Sequence, residues 1–293
     1  MGPQTEGTAF DVAVVGAGAA GQMAAIAAAE QHRRVVLWEQ MERPGLKILA
    51  SGGGRCNLTN LVEPAAFYAA FGRQGRFMTP AMAAMGSKAL RRLLDRWGVP
   101  TAASDGVHVF PLSQRSADVQ AALRRRIEQL GVTLRCHCLV RGLWIDAGRL
   151  MGVELSAREP VAADRVVLAC GGKSWPKLGG TGGGYALARQ AGLAIAEPLP
   201  ALVPLVTREG WPGGLAGVSL QHARLWIDLP GQERAGRTGD VLLTHRGLSG
   251  PAVLNLSSRV AELLRRGPVP LRIELLAGVD AGQWVRRLEG WRG

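Results

Sequence analysis

"DVAVVGAGAAGQMAAIAAAEQHRRVVLWEQ", residues 11–40, reads as strand, tight turn, helix and strand. Val12–Val15 is a short apolar run, Ala19–Gln31 is alanine-rich and strongly helical, and Val35–Trp38 is a second apolar run. Between the first two, Gly16, Gly18 and Gly21 complete a G-x-G-x-x-G, with Ala17, Ala19 and Ala20 in the intervening places. Gly16 allows the turn, Gly18 lets a pyrophosphate approach the backbone, and Gly21 lets the helix pack on the sheet. The helix N-terminus then offers free N–H groups and a positive dipole end to phosphates. Glu39 follows Gly16 by 23 residues, at the end of the next strand. A carboxylate there can accept both ribose hydroxyls of an adenosine. Glutamate rather than arginine at that place argues against a 2′-phosphate. The stretch is a dinucleotide site at the head of an α/β fold.

A nicotinamide enzyme would continue with alternating strands and helices. This chain instead runs into "MERPGLKILASGGGRCNLTN", residues 41–60, which has little periodicity. A long glycine-rich loop at the carboxyl end of a strand is usually functional, and adjacent glycines are costly in any regular element. Gly52, Gly53 and Gly54 would let the backbone lie flat against a planar ring. Lys47 and Arg55 supply positive charge, and Asn57 offers amide donors and an acceptor. Those groups suit a flavin, whose chemistry is tuned by hydrogen bonds and charge near N1 and N5, so FAD is the expected cofactor. The competing reading is a tight surface loop with no ligand. With one G-x-G-x-x-G there is no dedicated NAD(P)H domain, and a pyridine nucleotide is expected only as a transient co-substrate.

At 293 residues, one large or two moderate domains are expected. The 47% apolar and 20% charged composition is that of an ordinary globular protein. Four cysteines (Cys56, Cys136, Cys138, Cys170) carry no zinc spacing, and no metal site is expected. Cys136 and Cys138 alternate along an expected strand that would send both sulfurs to one face. A metal pair or disulfide there competes with two reduced, buried thiols, and the thiols are favoured. Together with the absence of a secretion signal, this points to a reducing cytoplasm. Val12–Ala29 is nearly uncharged, but Glu6 and Asp11 precede it and glycines and Gln22 interrupt it. Neither a signal peptide nor a membrane span fits.

The net charge of +12 comes from 31 Arg against 4 Lys. Arg91–Arg92, Arg124–Arg126, Arg265–Arg266 and Arg286–Arg287 lie on helix-like segments with few interleaved aromatics. Solvated helix faces are the expected reading. A nucleic-acid-associated flavoprotein or a non-catalytic dinucleotide-binding module is the alternative. No Ser-His-Asp or Cys-His arrangement is legible, so acyl transfer has no support.

"GLKILASGGGRCNLTN" (45–60) resembles the signature of the BaiN/YhiN-like FAD-binding flavoproteins, a family of aminoacetone-oxidase-like NAD(P)/FAD-dependent oxidoreductases. "VFPLSQRSADV" (109–119), "VVLACGGKSWPKLGGTGGGYALARQAG" (166–192), "PALVPL" (200–205) and "LLTHRGLSGPAVLNLSS" (242–258) are similar to family motifs in the same order. The resemblance spans about residues 11–258. It departs at Leu46, Trp175, Gly180, Gly183 and Leu193, where Arg, Tyr, Ser, Asp and His are common, mostly on the substrate side.

"RVVLAC" (165–170) is a buried-strand pattern ending in Gly171 and Gly172. The resemblance implies that this strand returns beside the first, placing Ala169, Gly171 and Gly172 at the pyrophosphate or ribose. It also implies that the backbone at Val140 lies at the adenine edge, within "VTLRCHCLVRGLWID", a strand followed by a hairpin. "LTHRGLSGP" (243–251) sets Thr244, His245 and Ser249 in a loop before a helix begun by Pro251. His245 is the candidate catalytic group, shuttling a proton while flavin takes a hydride. Its alternative is a packed or solvent-facing cap residue, and His32, His108 and His222 are read as surface or structural.

The expected architecture is an FAD-binding domain over 1–194, of the two-dinucleotide-binding Rossmann-like type. Helices are expected near 81–97 and 116–130. An inserted β-rich barrel and the start of a helical part are expected over 195–293, with alternation in "QHARLWIDL" and "VPLRIELL" and a helix in "DAGQWVRRLEGWRG". The resemblance further implies a segment returning to the FAD domain, which residues 276–293 do not supply. The sequence is therefore read as lacking it, with the flavin pocket open on one side. The expected function is FAD-dependent oxidation or reduction of a small molecule.

Overall fold

The computed structural model describes residues 10–232, 236–275, 278–279 and 281–291. Glu6, Leu276 at the end of "VPLRIELL", and Asp280, Arg292 and Gly293 of the last quoted run lie outside them. The chain divides into two compact units, 1–196 and 197–293.

In the first unit, β1 (Phe10–Val15), α1 (Ala19–Ala29) and β2 (Val35–Trp38) form the expected strand–helix–strand. Val12–Val15 and Val35–Trp38 are buried throughout, as strands covered on both faces must be. α1 has almost no polar face and is accordingly packed between sheet and helices. The following elements are α2 (Leu46–Ala50), β3 (Thr59–Asn60), α3 (Pro64–Ala70), α4 (Thr79–Ala84) and α5 (Ser87–Arg96). Next come β4 (Thr101–Ala102), β5 (His108–Pro111), α6 (Ser116–Gln129) and β6 (Thr133–Arg135). β7 (Val140–Asp146), β8 (Arg149–Leu155), β9 (Val161–Leu168) and α7 (Gly183–Gln190) complete the unit.

Six strands form one sheet in the order β6-β2-β1-β9-β8-β7. β6, β2, β1 and β9 are parallel, with Val15 opposite both Trp38 and Leu168. β7 and β8 form an antiparallel hairpin that adds to β9 through β8. This is a Rossmann-type parallel sheet, and its β2-β1-β9 core brings the carboxyl ends of three strands together, where α/β sheets bind ligands.

Three sequence expectations are corrected. The helix expected over 81–97 is two helices. Met85 leaves helical geometry and Gly86 caps α5, and a Cβ on Gly86 would meet the Met82 carbonyl at 2.9 Å. Cys136–Cys138 is not strand: β6 ends at Arg135 and His137 has a left-handed φ of 52°, which breaks the ladder. That loop instead hydrogen-bonds Met41 and Glu39. β9 is less buried than its apolar pattern implies. The side bearing Arg165 and Val167 is open, with Val167 37% exposed.

The second unit contains β10 (Leu205–Val206), α8 (Trp211–Gly214), β11 (Ser219–Ile227), β12 (Arg237–Thr244), β13 (Gly247–Ser249), α9 (Pro251–Leu264), β14 (Leu271–Glu274) and α10 (Ala281–Gly290). The strands form an antiparallel half-barrel in the order β10-β13-β12-β11-β14. Ala223, Leu225, Ile227, Val241 and Leu243 alternate inward onto Ala252, Val253, Leu256 and Val260 of α9, a separate core. Pro251 is the first helical residue of α9, as its fixed φ favours. No described helix is long and apolar enough to cross a membrane.

Candidate functional site

A cleft of about 840 Å³ opens at the carboxyl ends of β1, β2 and β9, wholly within the first unit. Its wall includes Gly16, Gly18, Ala19, Ala20, Glu39, Lys47, Asn57, Val140, Ala169 and Gly171. Residues scattered from 16 to 171 thus converge on one depression.

The first turn is built by close approach. A Cβ on Gly21 would lie 1.7 Å from the Gly16 carbonyl oxygen, and one on Gly16 would lie 2.6 Å from that of Ala169. Gly18 differs. Its backbone is ordinary extended (φ −71°, ψ −171°), and nothing lies within 4 Å of where its Cβ would be. No part of the folded chain requires glycine there.

Glu39 is buried, 8% exposed, yet its carboxylate reaches the cleft. Its Oε2 accepts from the Ala17 N–H (2.8 Å) and its Oε1 from the Met41 N–H (2.9 Å). Its backbone is gripped by the 135–138 loop, donating to Arg135 and accepting from Cys138 at 2.8 Å each. A polar side chain at such depth needs partners of this kind. Two oxygens with further lone pairs remain able to accept ribose hydroxyls.

Ala17 and Gly21 lie beneath the turn. The Ala17 carbonyl accepts from the Gly45 N–H (3.0 Å) and from Gln22 Nε2 (3.1 Å). Gln22, fully buried, exchanges two hydrogen bonds with Gln120 of α6, at 3.0 and 3.1 Å. This pair ties α1 to α6, while the Gly45 bond ties the glycine turn to the segment that carries Lys47. Gln22 has a sequence signal, one amide in an alanine-rich helix; its partner lies 98 residues away and has none.

Lys47 donates through Nζ to the Ser174 carbonyl (3.3 Å) and hydroxyl (3.4 Å), joining the 45–57 segment to the 171–184 segment. Gly52, Gly53, Gly54, Arg55 and Gly172 are not part of the cleft wall. Gly52–Gly54 form a single tight turn with positive φ throughout. Arg55 donates to the Gly52 carbonyl (3.2 Å) and its guanidinium stacks on Phe110 at 4.7 Å. Sequence reading missed Gln40, Cys138, Leu178–Gly180 and Leu187 in the wall.

Cys56 and Cys170 both line the cleft, and burial pushes each thiol above its ordinary pKa, keeping it neutral. All four cysteines are free, and no metal-holding cluster of His, Cys, Asp or Glu occurs among the described residues. His245 belongs to the second unit, exposed in the turn between β12 and β13. The basic helices are partly neutralised by ion pairs such as Arg126–Glu30 (2.7 Å) and Arg124–Glu128 (2.8 Å).

A dinucleotide fits this arrangement. The space at Gly18 is open beside the α1 N-terminus, and the buried Glu39 lines the same cleft. Fold and site define an α/β dinucleotide-binding protein.

The model of the HI0933-like protein Rossmann domain matches residues 10–278, and the chain belongs to that family, the BaiN/YhiN-like FAD-binding oxidoreductases. It is 34% identical over 275 residues to 3-dehydro-bile acid delta(4,6)-reductase of Clostridium scindens, covering 93% of this chain and 66% of that protein. It is 33% identical over 258 residues to ribosomal RNA dihydrouridine synthase of Escherichia coli, covering 85% and 60%. The chain thus spans less than two thirds of the length of either relative. Among solved structures it is similar to the open conformation of a flavocytochrome c3 fumarate reductase, at TM-score 0.54 and 19% identity. That likeness, over 74% of this chain and 48% of the other, is one of fold alone.

Proposed function

We propose that the chain binds FAD in the first unit's cleft and acts as a reductase, saturating a ring carbon–carbon double bond conjugated to a carbonyl. The observation that carries the cofactor reading is Gly18, where glycine is required by nothing in the protein and would be required by a pyrophosphate. The substrate class draws on the relatives' names, a delta(4,6)-reductase and a dihydrouridine synthase, which share such a saturation. Bound FAD would supply hydride transfer, with NADH or NADPH as the transient donor and a proton completing the addition.

In this reading Gly16–Gly21 and the α1 N-terminus bind the pyrophosphate and Glu39 binds the ribose. Val140 borders the adenine, and Ala169, Gly171 and Gly172 flank the ribose–pyrophosphate. Lys47 and Asn57 face the ring end, while Gly52–Gly54 and Arg55 shape the loop behind them. His245, exposed on a turn of the second unit, is proposed as the proton-handling group. The cytoplasm is the proposed location.

The test is flavin titration of the purified protein followed by NADH or NADPH oxidation with an enone acceptor. A protein that takes up no added FAD overturns the reading. A ring carried in RNA is the second reading, favoured by the +12 charge and the synthase relative. Its signature is RNA affinity that falls steeply with salt, by about 0.7 in log–log slope for each single-strand phosphate neutralised.

A further inference from the structure

The loop that supplies Leu178–Gly180 to the cleft wall begins with a side chain left exposed. Trp175 is 70% exposed, and its backbone is left-handed (φ 58°, ψ 65°). Among the described non-glycine residues with positive φ it is the bulkiest. That region crowds Cβ against the following carbonyl, so a bulky residue stays there only when its surroundings impose it. Glycine would sit there without strain, and an exposed indole buries little apolar area in return.

The loop that imposes this conformation is held at both ends. Ser174 accepts two hydrogen bonds from Lys47. The Trp175 carbonyl accepts from Leu178 N–H (2.9 Å) and Gly180 N–H (3.2 Å). Gln40 Nε2 donates to the Gly179 carbonyl at 2.9 Å. A Cβ on Gly180 would lie 1.9 Å from the Ser174 carbonyl oxygen, so the loop closes as tightly as glycine permits. Leu178, Gly179 and Gly180 line the cleft, and the Trp175 backbone is hydrogen-bonded to two of them.

We propose that Trp175 is a stacking platform for a flat heteroaromatic ring approaching the cleft, a nicotinamide or a pyrimidine base, and so helps select the reactant. The inference rests on the reading of the cleft given under the proposed function. Indole offers a broad π face, and stacking on it discriminates flat rings from other reactants without fixing the base identity. Loss of such a platform weakens binding by about 5- to 150-fold.

The experiment compares the parent with Trp175→Gly and Trp175→Phe, each loaded with FAD. Thermal stability is measured, then calorimetric binding of reduced nicotinamide mononucleotide in one arm and uridine monophosphate in the other. The expected result is that Trp175→Gly melts at or above the parent's temperature. It loses about 5- to 150-fold in affinity for one of the two rings, and Trp175→Phe keeps most of that affinity. A Trp175→Gly protein that melts lower overturns the proposal, because the indole then packs on protein. Unchanged affinity in both arms, or no binding of either ring to the parent, overturns it equally. Failure of the parent to load FAD removes the reading of the cleft and this inference together; normal loading with unchanged ring affinity removes this inference alone.

Discussion

The turn at 16–21 and the turn at 51–54 are both glycine-rich, and their glycines answer to different forces. In the first, Gly16 and Gly21 make room for backbone: added Cβ atoms would meet carbonyl oxygens at 2.6 and 1.7 Å. In the second, Gly53 has open space around it but a φ of 66°. Gly21 demands small volume and Gly53 demands handedness, while Gly16 (φ 99°) and Gly52 (φ 56°, its Cβ position 2.9 Å from the Asn57 N) demand both. Glycine content alone, which is what a sequence displays, does not separate the two.

That contrast sets the order of expected effects. Gly21→Val should be the most damaging, since neither contacting group is a flexible side chain. The turn must open or α1 must lift from the sheet, at a cost of several kcal/mol, read as loss of cooperative unfolding in denaturant. A stable Gly21→Val protein would break the close-approach account. Glu39→Ala should come next, because it strips the buried Ala17 N–H and the half-buried Met41 N–H of their acceptor. About 1–3 kcal/mol of stability is expected to go, with FAD affinity falling alongside. Gly53→Ala should cost only about 1 kcal/mol, and Gly53→Asn less, because asparagine tolerates the left-handed region. Equal losses at 21 and 53 would erase the distinction between the turns.

The smallest effect concerns pH. Burial raises the folded pKa values of Cys56, Cys136 and Cys170. A thiol with a raised folded pKa contributes stability that is present below its unfolded pKa and lost as pH rises through the folded value. Melting temperature should therefore sag on the alkaline side, above about pH 8.5. Cys56→Ser and Cys170→Ser together should flatten that sag.

The β1–α1–β2 unit and Glu39 are legible in the sequence because they depend on neighbours in the chain: apolar runs, a glycine spacing and one carboxylate at a strand end. The 81–97 region reads as one helix because apolar periodicity runs through Gly86, whereas the chain leaves helical geometry at Met85 and Gly86 then approaches the Met82 carbonyl more closely than a residue with a Cβ could. Cys136–Cys138 alternates like a strand, but the loop's hydrogen bonds to Met41 and Glu39 give it a different course. The Gln22–Gln120 pair and the Lys47–Ser174 tie join positions 98 and 127 residues apart. No local pattern marks such contacts. The cleft-lining residues of the first strand–helix–strand are thus more readable than the distant contacts that hold them in place.

Gly18 belongs to neither class of glycine, with an ordinary φ and empty space at its missing Cβ. The most direct measurement is the stability of Gly18→Ala set beside its affinity for FAD. The account predicts a melting transition changed by no more than about 1 kcal/mol, the scale of a weaker helix cap. It predicts, in the same protein, FAD affinity reduced by at least about tenfold, or about 1.4 kcal/mol. A Gly18→Ala protein that binds FAD like the parent, or one that unfolds, would contradict the claim that a pyrophosphate sets the glycine at this position.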